Sequence, residues 1–159
     1  MQVSDILRVK GGTLFTVSPD QLLAEAVATM SDRDIGSLVV MDHGDIAGML
    51  TFREVIKAIV ANGGMIGMTR VRGVMDAKPL ACTPETEIDE VRRMMLGRHA
   101  RYMPVLSQRM LMGVISFYDV AKAVVDSQDF ENRMLKAYIR DWPVDNEARD
   151  DARDTKTAT

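Results

Sequence analysis

The sequence predicts a mixed α/β (α+β) fold built from one small unit written twice, each copy running strand, helix, strand, strand, helix. Three observations predict it. The chain overlays on itself, its apolar residues switch between helical spacing and short runs around turns, and 47% of its 159 residues are hydrophobic, enough to bury a core.

Shifted by 65 positions, Ser18–Val60 matches Thr83–Val125 without a gap, with eleven identities in 43 positions, among them Pro19/Pro84, Met30/Met95, Gly48/Gly113, Phe52/Phe117 and Val55/Val120. With a shift of 68, the lead-in Val3-Ser4-Asp5-Ile6-Leu7 also matches Val71-Arg72-Gly73-Val74-Met75. The boundaries that follow are 1–62 for the first copy, 63–70 for a linker, 71–128 for the second copy, 129–142 for a C-terminal helix and 143–159 for a polar tail expected to be disordered. Neither copy buries enough surface alone, so the two are expected to pack about a pseudo-twofold axis.

In each copy a Ser/Thr-Pro pair signals a helix start: Leu22, Leu23, Ala26, Val27 and Met30 recur at helical spacing after Ser18-Pro19, and Ile88, Val91 and Met95 after Thr83-Pro84. A hairpin follows. Its strands are Ser37–Met41 and Ile46–Leu50 around Asp42-His43-Gly44-Asp45 in the first copy, and Met103–Leu106 and Met110–Ile115 around Ser107-Gln108-Arg109 in the second. A second helix runs from Phe52 to about Ala61, stopped by Asn62-Gly63-Gly64, and from Phe117 to about Asp126. Outside the repeat, Phe130, Met134, Leu135, Tyr138, Ile139 and Trp142 fall at helical spacing and read as a packing face.

Composition excludes several function classes. The net charge is −3 with no block of Lys and Arg, which offers a nucleic-acid backbone little, so no nucleic-acid partner is expected. One cysteine, Cys82, and two histidines, His43 and His99, cannot assemble a disulfide or a Cys/His zinc site, and no metal is expected. No segment approaches the roughly 18 apolar residues of a membrane span, and the N-terminus lacks the pattern of a signal peptide, so no membrane insertion and a cytoplasmic location are expected. Catalytic phosphate cradles of the Gly-x-x-x-x-Gly-Lys or Gly-x-Gly-x-x-Gly type are absent.

The informative motif ends each hairpin: Gly48-Met49-Leu50-Thr51-Phe52-Arg53-Glu54 and Gly113-Val114-Ile115-Ser116-Phe117-Tyr118-Asp119. A hydroxyl residue opens a helix and an acid follows three residues on. This is a capping box, satisfying the orphan amides of a helix start. A helix N-terminus also attracts anions, and a carboxylate there can accept both hydroxyls of a ribose. Taken alone the motif reads equally as cap or as ligand site.

In order and spacing, twice over, these segments resemble the CBS domain, which occurs as tandem pairs called Bateman modules. The resemblance covers Val3 to about Ser127 and rests on the Ser/Thr-Pro pairs, on Asp34–Asp42 and Arg101–Val105, and on the Gly-x-x-Thr/Ser-x-x-acid ends. It implies two clefts that bind adenosyl ligands (AMP, ADP, ATP, NAD(H) or S-adenosylmethionine), with AMP or ATP foremost, and no required cofactor. In one cleft, Asp119 would take the ribose hydroxyls and Ser116 a phosphate or ribose oxygen, with Ile115 and Tyr118 nearby and Gly12, Ile35, Gly36 and Ser37 as the opposite wall. Tyr102 stands where the family often carries a phosphate-facing basic residue, with Arg101 adjacent. The other cleft would use Thr51, Arg53 and Glu54, faced by Lys78, Pro79 and Leu80. Glu54 replaces the family's usual aspartate, and its extra methylene ranks this cleft second.

The resemblance further implies a non-enzymatic regulator that forms a homodimer and acts on a partner the sequence does not name. The alternative is a ligand-free dimerisation scaffold for another protein. A Mg²⁺-dependent hydrolase using Asp119 or Glu54 ranks last, because no general base stands beside a nucleophile.

Overall fold

The computed structural model describes residues 1–11 and 13–140. Gly12, the end of the predicted 129–142 helix and the tail at 143–159 lie outside the described residues. The chain divides into two units, one over Met1–Val124 and one from Val125 on. The elements in order are α1 (Val3–Lys10), β1 (Thr16–Val17), α2 (Leu23–Arg33), β2 (Ser37–Asp42), β3 (Asp45–Thr51), α3 (Phe52–Ala61), a 3-10 turn (Val71–Gly73), α4 (Ile88–Arg98), β4 (Tyr102–Ser107), β5 (Met110–Ser116) and α5 (Phe117–Arg140).

The repeat is visible in the hydrogen bonds. Strand β1 pairs parallel to β2, and β2 antiparallel to β3. In the second copy β4 and β5 pair antiparallel, and the strand equivalent to β1 shrinks to a single parallel bridge between Cys82 and Val105. Both hairpins carry a register shift at the same place, Val40/Met41 and Val105/Leu106. Both turn on two residues with positive φ, His43 (51°) and Gly44 (86°), then Gln108 (49°) and Arg109 (68°), the backbone of a type I′ turn. The second hairpin thus puts two side-chain-bearing residues where glycine or asparagine is preferred.

Three expectations are corrected. The helices do not begin at Ser18-Pro19 or Thr83-Pro84: α2 and α4 start at Leu23 and Ile88, four residues past the prolines. The carbonyls that a helix would need there are already in use. Pro19 and Gln21 accept from the amides of Arg72 and Val71 (2.8 and 2.9 Å), and Pro84 and Thr86 accept from Ser4 and Val3 (2.8 and 3.0 Å). Secondly, the lead-in is itself structured, as helix α1 in the first copy and a 3-10 turn in the second, elements that the strand-helix-strand-strand-helix order lacks. Thirdly, the two helices expected over Phe117–Asp126 and from Asp129 on are one, because Ser127-Gln128 contains no breaker comparable to Gly63 and Gly64, whose φ values are positive.

The lead-ins are exchanged. Val3 and Ile6 of α1 belong to the core formed by Ile88, Val91, Met95, Met103, Val105, Ile115 and Val120 of the second copy. Val71, at the start of the second copy, is buried with Val17, Leu23, Met30, Leu38, Leu50 and Val55 of the first. Each core is therefore completed by the other repeat's first residues.

Candidate functional site

Each helix that follows a hairpin starts with a filled capping box. Thr51's amide donates to the Glu54 carboxylate (2.8 Å), its hydroxyl contacts the same oxygen, and Arg53's amide donates to the Thr51 hydroxyl. In the second copy the Ser116 amide donates to Asp119 Oδ2 (2.9 Å) and the Asp119 amide to the Ser116 hydroxyl (3.0 Å). The capping reading of these residues is therefore realised at both sites.

Two cavities flank the boundary between the repeats. The first, of about 720 Å³, is lined by Ile35, Gly36, Ser37, Arg101, Tyr102, Ser116 and Tyr118 of the expected set. Ile115 is not there: it is wholly buried in the core of the second copy, because it is the strand position that faces inward. Asp119 does not line the cavity either. Lys10 does, and its ammonium donates to Asp119 Oδ2 at 2.6 Å and to the Val114 carbonyl at 3.0 Å. Burial pushes the Asp119 carboxyl up, but the hydrogen bond and charge of Lys10 together with the polar groups of Ser116 outweigh it, so the group titrates below the usual carboxylate range.

The second cavity, of about 1350 Å³, is lined by Thr51, Arg53, Glu54, Pro79 and Leu80 as expected. Lys78 is absent from its wall. That residue is exposed, and its amide donates to the Asp76 carboxylate in a local turn. Instead Lys57, Arg98 and Arg101 bring positive charge, with the His99 ring on the same wall, against the acids Glu54 and Asp76. Among the described residues Arg53, Lys57, Arg98 and Arg101 enter no ion pair. His99, expected as a plain loop residue, is exposed and closes α4 in the left-handed conformation (φ 52°), as Asp34 closes α2.

Tyr102, Arg101 and Phe117 line both cavities. The hydroxyl end of Tyr102 abuts Gly36: a Cβ at that glycine would stand 1.9 Å from the tyrosine hydroxyl and 3.0 Å from the Phe52 ring. The small residue expected to admit a ligand thus also admits a side chain of the other repeat.

Lys10 is the residue that sequence reasoning missed. A signal for it existed: the same 68-residue shift that matches Val3 with Val71 places Lys10 on Lys78, the residue expected at the other cleft. Cys82 is buried, its thiol pushed up to about 12 by burial, and no histidine reaches it. Among the described residues no group of three or more His, Cys, Asp or Glu could hold a metal ion, and no helix is long and apolar enough to cross a membrane.

Comparison with known proteins agrees with this architecture. The CBS domain profile matches residues 3–61 and 71–126. The mitochondrial CBS domain-containing protein CBSX3 of Arabidopsis thaliana is 30% identical over 147 residues, 87% of this chain and 71% of that protein. A CBS-domain containing protein from Agrobacterium tumefaciens superposes with a TM-score of 0.74 at 33% identity, over 77% of this chain and 98% of that one. A structure of CBSX2 in complex with AMP shares the fold, with a TM-score of 0.67 at 20% identity over 80% of this chain and 98% of that one. Two matched segments, alike in hairpin register and in the capping box that follows, make this chain a member of the CBS-domain family that carries the domain as a tandem pair.

Proposed function

We propose that this CBS pair, a regulatory module, binds an adenosyl ligand, AMP or ATP foremost, in the cleft above Asp119 and transmits its occupancy to a partner through changed conformation or assembly. The observation that carries the reading is the 720 Å³ cavity itself. It has the size of a small-molecule site and walls from both repeats, and a helix N-terminus and two cations, Lys10 and Arg101, supply what a phosphate needs. The AMP held by the similarly folded CBSX2 supports it. A ligand that touches both repeats favours one angle between them, and a partner that distinguishes angles is thereby regulated. The module acts by binding and not by catalysis.

Thermal unfolding with AMP, ADP, ATP, NAD, NADH and S-adenosylmethionine tests this, on the wild type and Asp119→Ala. A ligand at 100 times its Kd adds about 2.7 kcal/mol of stability. A shift with one ligand that Asp119→Ala removes supports the reading; no shift up to millimolar concentration favours the scaffold.

Self-association is part of the proposal. Phe52, Ile56 and Val60 lie at i, i+4 and i+8 on α3 and are half or more exposed. Such a stripe is suited to pairing with a second copy. Ile56→Glu should shift the species seen in sedimentation from dimer to monomer.

A further inference from the structure

We propose that Lys10 sets the specificity of the Asp119 cleft, competing with a ribose for the carboxylate and contacting the phosphate once displaced, so that the cleft selects a phosphorylated nucleoside over a bare or cationic one. The inference rests on the reading that this cleft takes an adenosyl ligand. Its own ground is geometric. Lys10 ends a helix rooted by Val3 and Ile6 in the core of the second copy, and Leu7 packs over Gly113, where a Cβ would meet it at 2.7 Å. Those contacts hold the end of α1 beside the end of β5, so the fold sets the Lys10 side chain within reach of Asp119 and Val114, and its ammonium bonds to both.

A ribose whose two hydroxyls take one carboxylate oxygen each needs Oδ2 as well as Oδ1. Oδ2 already accepts from the Ser116 amide and from Lys10. A ribose hydroxyl approaching from the cavity meets the lysine first, because Lys10 and not Asp119 forms the wall. Displacing an ammonium from a close charge-assisted bond penalises every ligand with a ribose. Ligands with an anionic group recover that cost, since the freed ammonium and Arg101 remain on a wall that contains no acidic residue. A bare nucleoside offers no compensation, and a sulfonium adds repulsion. Lys10 thus replaces the basic residue that Tyr102 does not supply.

The test is isothermal titration calorimetry of the whole chain with AMP, adenosine and S-adenosylmethionine, on the wild type, Lys10→Met, Lys10→Arg and Asp119→Ala. Lys10 is partly exposed, so both substitutions should fold, and matched thermal midpoints check it. In Lys10→Met, AMP should weaken by roughly tenfold while adenosine holds or tightens, and Lys10→Arg should restore the preference. Salt should weaken AMP less in Lys10→Met than in the wild type. Equal losses for AMP and adenosine would make Lys10 a merely structural residue and overturn the inference alone, as would unchanged AMP binding. AMP binding that survives Asp119→Ala would locate the ligand in the other cleft and also overturn it. If the wild type binds none of the three, nor any other of the six ligands of the unfolding test, the adenosyl reading itself fails and the inference with it.

Discussion

Gly48 and Gly113 occupy the same place in the two copies, yet alanine should cost very different amounts at each. A Cβ at Gly48 would stand 2.3 Å from the Asp76 carbonyl oxygen, 3.1 Å from its carbon and 3.4 Å from the Ala77 Cα, all backbone. That carbonyl accepts from the Met49 amide at 3.0 Å, and the Asp76 amide donates back to Met49 at 2.9 Å. Met49 is buried, so parting the two segments strands polar groups away from water. Two net hydrogen bonds at about 1 kcal/mol each, plus the penalty of the unpaired groups, exceed the 0.4–1 kcal/mol or so that Gly→Ala contributes through the unfolded chain, leaving a loss of ~2–4 kcal/mol. At Gly113 the obstacle is the end of the Leu7 side chain, 2.7 Å away. Turning it off its rotamer costs about 0.5–1.5 kcal/mol, close to the unfolded-chain gain, so the net change should stay within ~1 kcal/mol. Urea unfolding reads the difference: with m near 2 kcal/mol/M, Gly48→Ala should lower the midpoint by about 1–2 M and Gly113→Ala by less than about 0.5 M. Equal midpoints, or a larger loss at Gly113, would refute the account of the close approach.

The remaining predictions concern single groups. Because Asp119 titrates low in the fold, its contribution is present above the unfolded carboxyl value and lost as pH falls through the lower folded value; the wild-type advantage over Asp119→Asn in urea should therefore shrink only below about pH 4. An advantage that persists unchanged to pH 2 would contradict this. Arg109→Gly should raise the thermal midpoint by the equivalent of roughly 1 kcal/mol, since Arg109 holds a φ of 68° in the hairpin turn; calorimetry decides. Cys82, with its thiol at about 12 and buried, should react with a thiol reagent only as fast as the protein unfolds, giving one equivalent in denaturant and almost none in buffer at pH 8.

Which features could be seen in the sequence follows from the range of the forces that make them. The hairpin at His43-Gly44 was legible from local chemistry, because Gly44 supplies the positive φ the turn demands. Its partner at Gln108-Arg109 has no such residue and was legible only through the repeat. The helix starts were misread because Ser-Pro is a local signal, whereas the bonds that hold Pro19 and Gln21 out of the helix come from Arg72 and Val71, some fifty residues on. Most cleft residues lie on the repeated motif and could be named. Lys10 could not be assigned a role from its neighbours, since its carboxylate partner is 109 residues away. Ile115 shows the opposite limit: the motif places it beside Ser116, and strand alternation turns it into the core.

The exchanged lead-ins bear on how binding could be transmitted. If each repeat completed its own core, a ligand between them would have to act through the walls of the cleft alone. Here α1 belongs by sequence to the first copy and by packing to the second, and its last residue bonds to Asp119. The chain then returns through Phe15 and β1, which pair with β2 of the first copy. Lys10 thus sits between two cores, with α1 packed in one and Phe15 and β1 paired to the other. The second lead-in makes the reciprocal connection, from Val71 in the first core through the Met49–Asp76 pair to Pro79 and Leu80 on the Glu54 cleft. Each cleft is therefore reached by a strap anchored in the core across from it, and packed cores resist small deformations. A ligand that moves a strap has to move one repeat against the other.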